Sequence, residues 1–271
     1  MNLQLYRHLW GVTEPRSQTF PQFKAFGYAG IETGLAAGED KGALRGLLQE
    51  HNFAFIGQIF SSGDSVREHL KSFGRSIDAI RELSPVLINS HSGADAFSRD
   101  DSLEFFRGAL EIEKAAGIPV AHETHRGRIL FNPWITQFVL SELPELQICA
   151  DFSHFVCVCE RLLTTELEII QQIAEHTLHI HARVGYEEGP QVPDPRAPEF
   201  APHLKAHEVW WDLIWSTQRK RGFKTSTLTP EFGPPPYLST LPYTGIPVAK
   251  LGEICDWQAA RQRLRFPQLR S

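Results

Sequence analysis

The sequence is short of sulphur, of net positive charge and of long apolar runs. Its 271 residues include only four cysteines, too few for a disulfide framework. Cys157 and Cys159 stand one residue apart, which makes neither a redox pair nor a zinc pair. Cys149 and Cys255 read as core residues, and the simplest setting is a reducing cytoplasm. Lysine and arginine total 27 against 32 aspartates and glutamates, a formal charge of −5. That lacks the basic excess with which proteins usually hold nucleic acid. No stretch reaches the roughly 20 apolar residues that span a bilayer, and residues 1–8 lack the apolar stretch of a secretory signal. The expected protein is therefore cytoplasmic, with no membrane or nucleic-acid partner. The turn after the first apolar run, Gly11-Val12-Thr13-Glu14-Pro15, lacks the Gly-rich phosphate pattern of an open nucleotide-binding sheet. No repeat, low-complexity tract or linker divides the chain.

What the sequence does contain is a regular alternation of short apolar runs and amphipathic stretches. Strands are expected at 3–10, 31–33, 53–59, 86–89, 117–121, 146–150, 177–181 and 226–230. Helices are expected at 21–26, 38–50, 65–83, 101–116, 129–143, 160–175 and 208–219, and in part of 248–265. Leu70, Phe73, Ile77 and Ile80 show the three-and-four spacing of a buried helix face. The one long irregular segment runs from about 183 to 207 and holds Pro190, Pro193, Pro195, Pro198 and Pro202. A loop of that length is usually functional or disordered. Alternating strands and helices imply a parallel sheet, and eight such units in this length close most simply into a single-domain (β/α)8 TIM barrel of class α/β.

Four of the predicted strands end in groups that are poor core material. Gly117-Ile118-Pro119-Val120-Ala121 runs into His122-Glu123-Thr124-His125-Arg126. The next strand ends in Asp151, the next in His181 and the last in Glu231. Strand ends at the C-terminal mouth of a barrel are where such enzymes place catalytic groups. Three carboxylates and an imidazole suit one divalent cation such as Mn, Mg, Co or Zn.

Laid out in this order, the chain resembles the xylose-isomerase-like barrel superfamily, which includes ketose 3-epimerases, hydroxypyruvate isomerase, inosose dehydratase and endonuclease IV. The segment Gly27-Tyr28-Ala29-Gly30-Ile31-Glu32 looks like its second-strand signature. Asp151-Phe152-Ser153-His154 matches its D-x-x-H, and His179-Ile180-His181 matches its H-x-H. The resemblance implies Glu123, Asp151, His181 and Glu231 as metal ligands. It also implies Glu123 and Glu231 as the pair that moves a proton through an enediolate, making the protein an isomerase or epimerase of a sugar or sugar-like ketose. A keto-polyol dehydratase on the same site, an endonuclease IV-like repair enzyme and a non-catalytic sugar-binding barrel are the alternatives. Two departures bear on this. The epimerases carry an arginine several residues beyond the ligand histidine, whereas here only Arg183 is available, and closer. The D-x-D and D-x-H of the multinuclear relatives after the seventh strand are absent, which favours one metal.

The remaining polar residues divide by position. His154, His91, Arg183 and Trp10 are the expected contacts to a small carbohydrate substrate, with Arg196 as a further choice. His125 and Arg126 either meet an anionic substrate or pair with neighbouring acids. His122, alternating with Glu123, should pack behind its strand. His179 should lie one layer below His181 and support a ligand. Glu32 should hold barrel groups in place. Trp210, Trp211 and Trp215 read as helix-to-barrel or subunit packing, and assembly into a homo-oligomer is left open.

Overall fold

The computed structural model describes residues 1–267. Eight parallel strands pair in sequence order and close into a barrel, β8 returning to β1. The strands are β1 (Asn2–His8), β2 (Gly30–Thr33), β3 (Ala54–Phe60), β4 (Leu87–His91), β5 (Val120–Glu123), β6 (Ile148–Ala150), β7 (Thr177–His181) and β8 (Thr225–Thr229). The helices between and after them are α1 (Arg16–Phe26), α2 (Lys41–Glu50), α3 (Val66–Arg81), α4 (Arg99–Ala116) and α5 (Pro133–Glu142). They continue as α6 (Ser153–Cys159), α7 (Leu167–His176), α8 (Ala201–Lys220) and α9 (Leu251–Arg265). The expected single-domain TIM barrel is thus the observed one. Among the described residues no helix is long and apolar enough to cross a membrane.

The two-residue period of a strand sorts the core into two parts. Outward residues such as Ile31, Phe55, Ile88, Ile148, Ile180 and Leu228 join the helices in one large apolar layer. Inward residues Tyr6, Ile56, Leu87, Ala121 and Cys149 fill the barrel separately. Moving along each strand, the next inward residues are polar: Glu32, Gln58, Asn89, Glu123 and Asp151, all buried. The barrel is therefore dry at its base and polar towards its C-terminal mouth. His122 faces outward as expected, its Nδ1 2.6 Å from Ser92 Oγ and its Nε2 2.8 Å from Glu113 Oε1 on α4.

Several helix boundaries differ from the sequence reading, each for a local reason. The helix expected over 160–175 begins only at Leu167, and a separate short helix, α6, lies before it. α6 starts directly after Asp151 because Asp151 Oδ1 accepts the backbone N–H (3.1 Å) and hydroxyl (2.5 Å) of Ser153. It stops at Glu160, whose φ of 51° is left-handed. α1 starts at Arg16, with Pro21 inside it rather than at its head, because Thr19, Phe20 and Phe23 form one buried face. α5 starts only at Pro133, where Asn132 caps the N–H groups of Trp134 and Ile135. The irregular segment after β7 ends well before 207, since Pro198 opens a 3-10 turn and α8 begins at Ala201 with Pro202 in its first turn. Proline is tolerated there because the first turn of a helix has no internal use for its N–H. Trp210, Trp211 and Trp215 of α8 are all buried in the helix-to-barrel layer.

Candidate metal centre and substrate pocket

Glu123 and His181 end β5 and β7, Asp151 follows β6 directly, and Glu231 lies two residues beyond β8. The inward direction of each strand brings their side chains together. One donor atom from each of Glu123, Asp151, His181 and Glu231 lies within 4.8 Å of the others, and all four residues are buried. His181 Nδ1 is 3.0 Å from Glu231 Oε2 and 3.6 Å from Glu123 Oε2. The first of these is a close ionic approach, yet His181 Nδ1 and Glu231 Oε2, and with them Glu123 Oε1, make no hydrogen bond. Buried polar atoms are nearly always bonded, so these three orphaned atoms mark the place of a missing partner. Three unsatisfied donors facing one point, two of them carboxylate oxygens, fit a divalent cation. A second group, His91, Glu123 and His125, adjoins the first and shares Glu123.

The surrounding residues fix these donors. Glu32 Oε1 lies 2.9 Å from His181 Nε2 and Oε2 lies 3.1 Å from His179 Nε2. His179 thus sits below His181, as expected, and steadies it through Glu32. Asn89 donates to Glu123 Oε2 at 2.7 Å, and His91 Nε2 lies 2.8 Å from the same oxygen. The Trp10 backbone N–H donates to His8 Nδ1 at 2.8 Å. The His8 proton is therefore on Nε2, which faces Gln58 Oε1 at 3.3 Å and Glu231 Oε1 at 3.4 Å.

Burial opposes charge at every one of these groups, and the neighbours decide the outcome. Burial would raise the Glu123 carboxyl, but His91 and His181 hold it well below the usual carboxylate range. Glu231, buried likewise, is brought down to about 2 by His181 and Arg183. Asp151 goes the other way, to about 6, because burial and the charges of Glu123 and Glu231 outweigh Arg183. Burial alone would depress His181, but Cys149 and the Glu231, Glu32 and Glu123 carboxylates raise it well above its usual value. A cation at Nδ1 would have to displace that proton.

Above the four donors opens a cavity of about 440 Å³ whose wall includes Trp10, Gln58, His91, Arg183, Glu231 and Tyr237. The sequence-derived contacts fall into place unevenly. Trp10, His91 and Arg183 reach the wall. His154 is set behind it, with Nε2 2.7 Å from Arg183 Nη2 and its ring 3.8 Å from that of His125. His125 is itself on the wall, and Arg126 packs over Tyr237. Arg196 is elsewhere, paired with Asp194 at 2.7 Å and near Glu253 at 3.8 Å. Of the long segment after β7, only Arg183 contributes to the wall. Gln191 ties the rest to the exit of β8 through both the N–H and the C=O of Gly233, at 2.7 and 3.1 Å.

The sequence reading passed over His8, Gln58, Asn89 and Tyr237. The first three carried a signal: each is a polar residue at the inward parity of its strand. Tyr237 carried none, since it reaches the site only through the course of the loop after β8.

A closed eight-stranded barrel with a polar mouth and a convergent acid-and-imidazole cluster defines the class. The family profile of the xylose isomerase-like TIM barrel matches residues 20–232, and the chain belongs to that family. No curated protein matches it. Its fold is similar to that of a xylose isomerase-like TIM barrel protein from Mycobacterium smegmatis solved in complex with magnesium (TM-score 0.65, 13% identity, 99% of this chain and 98% of that one). It is also similar to a sugar phosphate isomerase/epimerase from Parabacteroides distasonis (0.64, 12%, 98% and 95%). An AP endonuclease, family 2, from Brucella melitensis is similar as well (0.63, 16%, 96% and 98%). Identities this low carry the fold alone.

Proposed function

We propose that the protein is a divalent-metal-dependent isomerase or epimerase of a small sugar or sugar-like ketose. The observation that carries this reading is the convergence of Glu123, Asp151, His181 and Glu231 within 4.8 Å, directly below a sugar-sized cavity. These four residues would hold one cation, of the Mn, Mg, Co or Zn kind. When bound, such a cation polarises a carbonyl and acidifies the adjacent C–H.

The protein's own groups supply the rest. Glu123 and Glu231 are both held in the ionised form that accepts a proton. One removes a proton from the carbon next to the carbonyl, and the other, once it has taken up a proton from solvent, returns one to the enediolate. Return at the neighbouring carbon gives isomerisation, and return to the opposite face of the same carbon gives epimerisation. His91, Trp10 and Arg183 position the substrate from the cavity wall. The imidazole of His91 on that wall favours one second reading, a dehydratase in which it protonates a departing hydroxyl. Product mass separates the two, since only dehydration loses water.

The test is solvent exchange. Metal-loaded protein is incubated in D₂O with a panel of ketoses, and the C–H beside the carbonyl is followed. Deuterium uptake by the wild type that falls by about 10²–10⁴ in Glu123→Gln and Glu231→Gln at equal metal occupancy is the expected result. Full turnover by either metal-loaded variant would remove the assignment.

A further inference from the structure

The strand parity that turns His179 and His181 into the barrel also turns Arg183 inward, two residues further on. Its guanidinium ends against the cluster just described, at the edge of the cavity, and the residue is 1% exposed. Nη2 is 2.5 Å from Asp151 Oδ2, 3.1 Å from Glu231 Oε2 and 2.7 Å from His154 Nε2. Nε donates to Ser153 Oγ at 3.2 Å. The consequence for Asp151 is specific. Its Oδ1 already accepts from the Ser153 backbone N–H and hydroxyl, and its Oδ2 accepts from Arg183. Glu123, His181 and Glu231 each present an unbonded donor atom, and Asp151 presents none.

We infer that Arg183 is a built-in competitor for the metal position: its guanidinium and a divalent cation contend for Asp151, and full coordination requires Arg183 to release that carboxylate. The inference rests on the proposed metal site and adds to it a residue that sets its affinity. Three carboxylates buried together repel one another, and leaving any of them uncompensated is costly. In the absence of a cation the guanidinium supplies the compensating charge, so the barrel mouth does not depend on metal to stay folded. A cation takes over that role, and Arg183 is then free to move. Its Nη1 has no partner, its guanidinium lies 5.2 Å from the centre of the Tyr237 ring, and both residues border the cavity. The released side chain therefore has the cavity to enter, where a substrate oxygen can meet it.

The experiment compares chelator-treated wild type with Arg183→Met, Arg183→Gln and Arg183→Lys. Mn²⁺ affinity is read by competition with a chelating dye, and melting temperature is measured with and without Mn²⁺. A hydrogen bond to a charged group corresponds to about a ten- to hundredfold change in affinity. The Met and Gln variants are expected to bind Mn²⁺ tighter than wild type by that factor and to gain more in melting temperature on Mn²⁺ addition, with the Lys variant between. Equal or weaker binding by the Met and Gln variants, with wild type binding normally, overturns the competition and leaves the metal site standing. Failure of all four proteins to bind Mn²⁺ overturns both. Should the Met and Gln variants not fold, a crystal structure of Mn²⁺-loaded wild type decides: Arg183 off Asp151 Oδ2 supports the inference, and an intact hydrogen bond between them overturns it.

Discussion

Glu32 Oε1 lies 2.9 Å from His181 Nε2, and both side chains are wholly buried. The carboxylate keeps a proton on Nε2 and thereby directs Nδ1 at Glu231 and Glu123. A carboxylate behind a ligating imidazole fixes its tautomer and orientation, and its loss typically costs 10- to 100-fold in metal affinity. Glu32→Gln preserves the shape but removes the charge. It should weaken Mn²⁺ binding by about that factor while the far-ultraviolet circular dichroism stays that of the wild type. Wild-type affinity in this variant would show that His181 needs no such support.

Gly233 is where the backbone touches the cavity wall. A Cβ there would stand 2.2 Å from the Trp10 ring, and both backbone groups of Gly233 are tied to Gln191, so the glycine has little room to retreat. Gly233→Ala should push Trp10 into the cavity, at a cost of about 1–3 kcal/mol in stability. Trp10→Ala removes the obstacle. Urea unfolding of the two single variants and the double variant should therefore show the glycine substitution costing much less once Trp10 is gone. Simple additivity would mean the wall yields elsewhere.

A similar approach at Gly30 concerns the barrel itself. A Cβ would lie 2.2 Å from the Ala54 carbonyl oxygen and 2.5 Å from the Tyr6 ring. The first of these is strand backbone and cannot rotate away. Gly30→Ala should lower stability by about 1–3 kcal/mol or more. A melting temperature equal to that of the wild type would contradict this.

His207, outside the four-donor cluster, should make stability depend on pH. Its Nδ1 lies 2.8 Å from the His203 carbonyl oxygen, and its Nε2 accepts the Gly185 N–H at 3.2 Å. Burial pushes its pKa from the usual 6.5 down to about 3. Between those values the unfolded chain binds a proton that the folded chain refuses, so stability is full above the unfolded pKa and falls as pH drops through the window. The loss from this residue by pH 5 is about 2 kcal/mol. His207→Gln should be less stable than wild type at pH 7 and should lose less between pH 7 and pH 5. Parallel curves for the two proteins would assign the acid sensitivity to other groups.

The barrel and the four convergent donors were legible in the sequence because each rests on a local contradiction. An apolar run that stops at Glu123, Asp151, His181 or Glu231 cannot continue a dry core, and strand parity alone says these ends share the barrel mouth. The same parity made the outward place of His122 and the supporting depth of His179 readable. Where the chain depends on contacts between distant segments, the sequence was silent. That Ser153 starts a helix follows from the Asp151 side chain folding back on it. That His154 stands behind the cavity wall follows from Arg183 and His125 lying in front of it. Tyr237 reaches the cavity by a loop with no periodicity to read. Arg183 shows the division most plainly. Its inward direction is set by its place two residues after His181, but its partner is not. Whether a guanidinium of that length meets solvent, substrate or Asp151 depends on the space the neighbouring strands leave and on the buried charge already there, and only the closed barrel determines both.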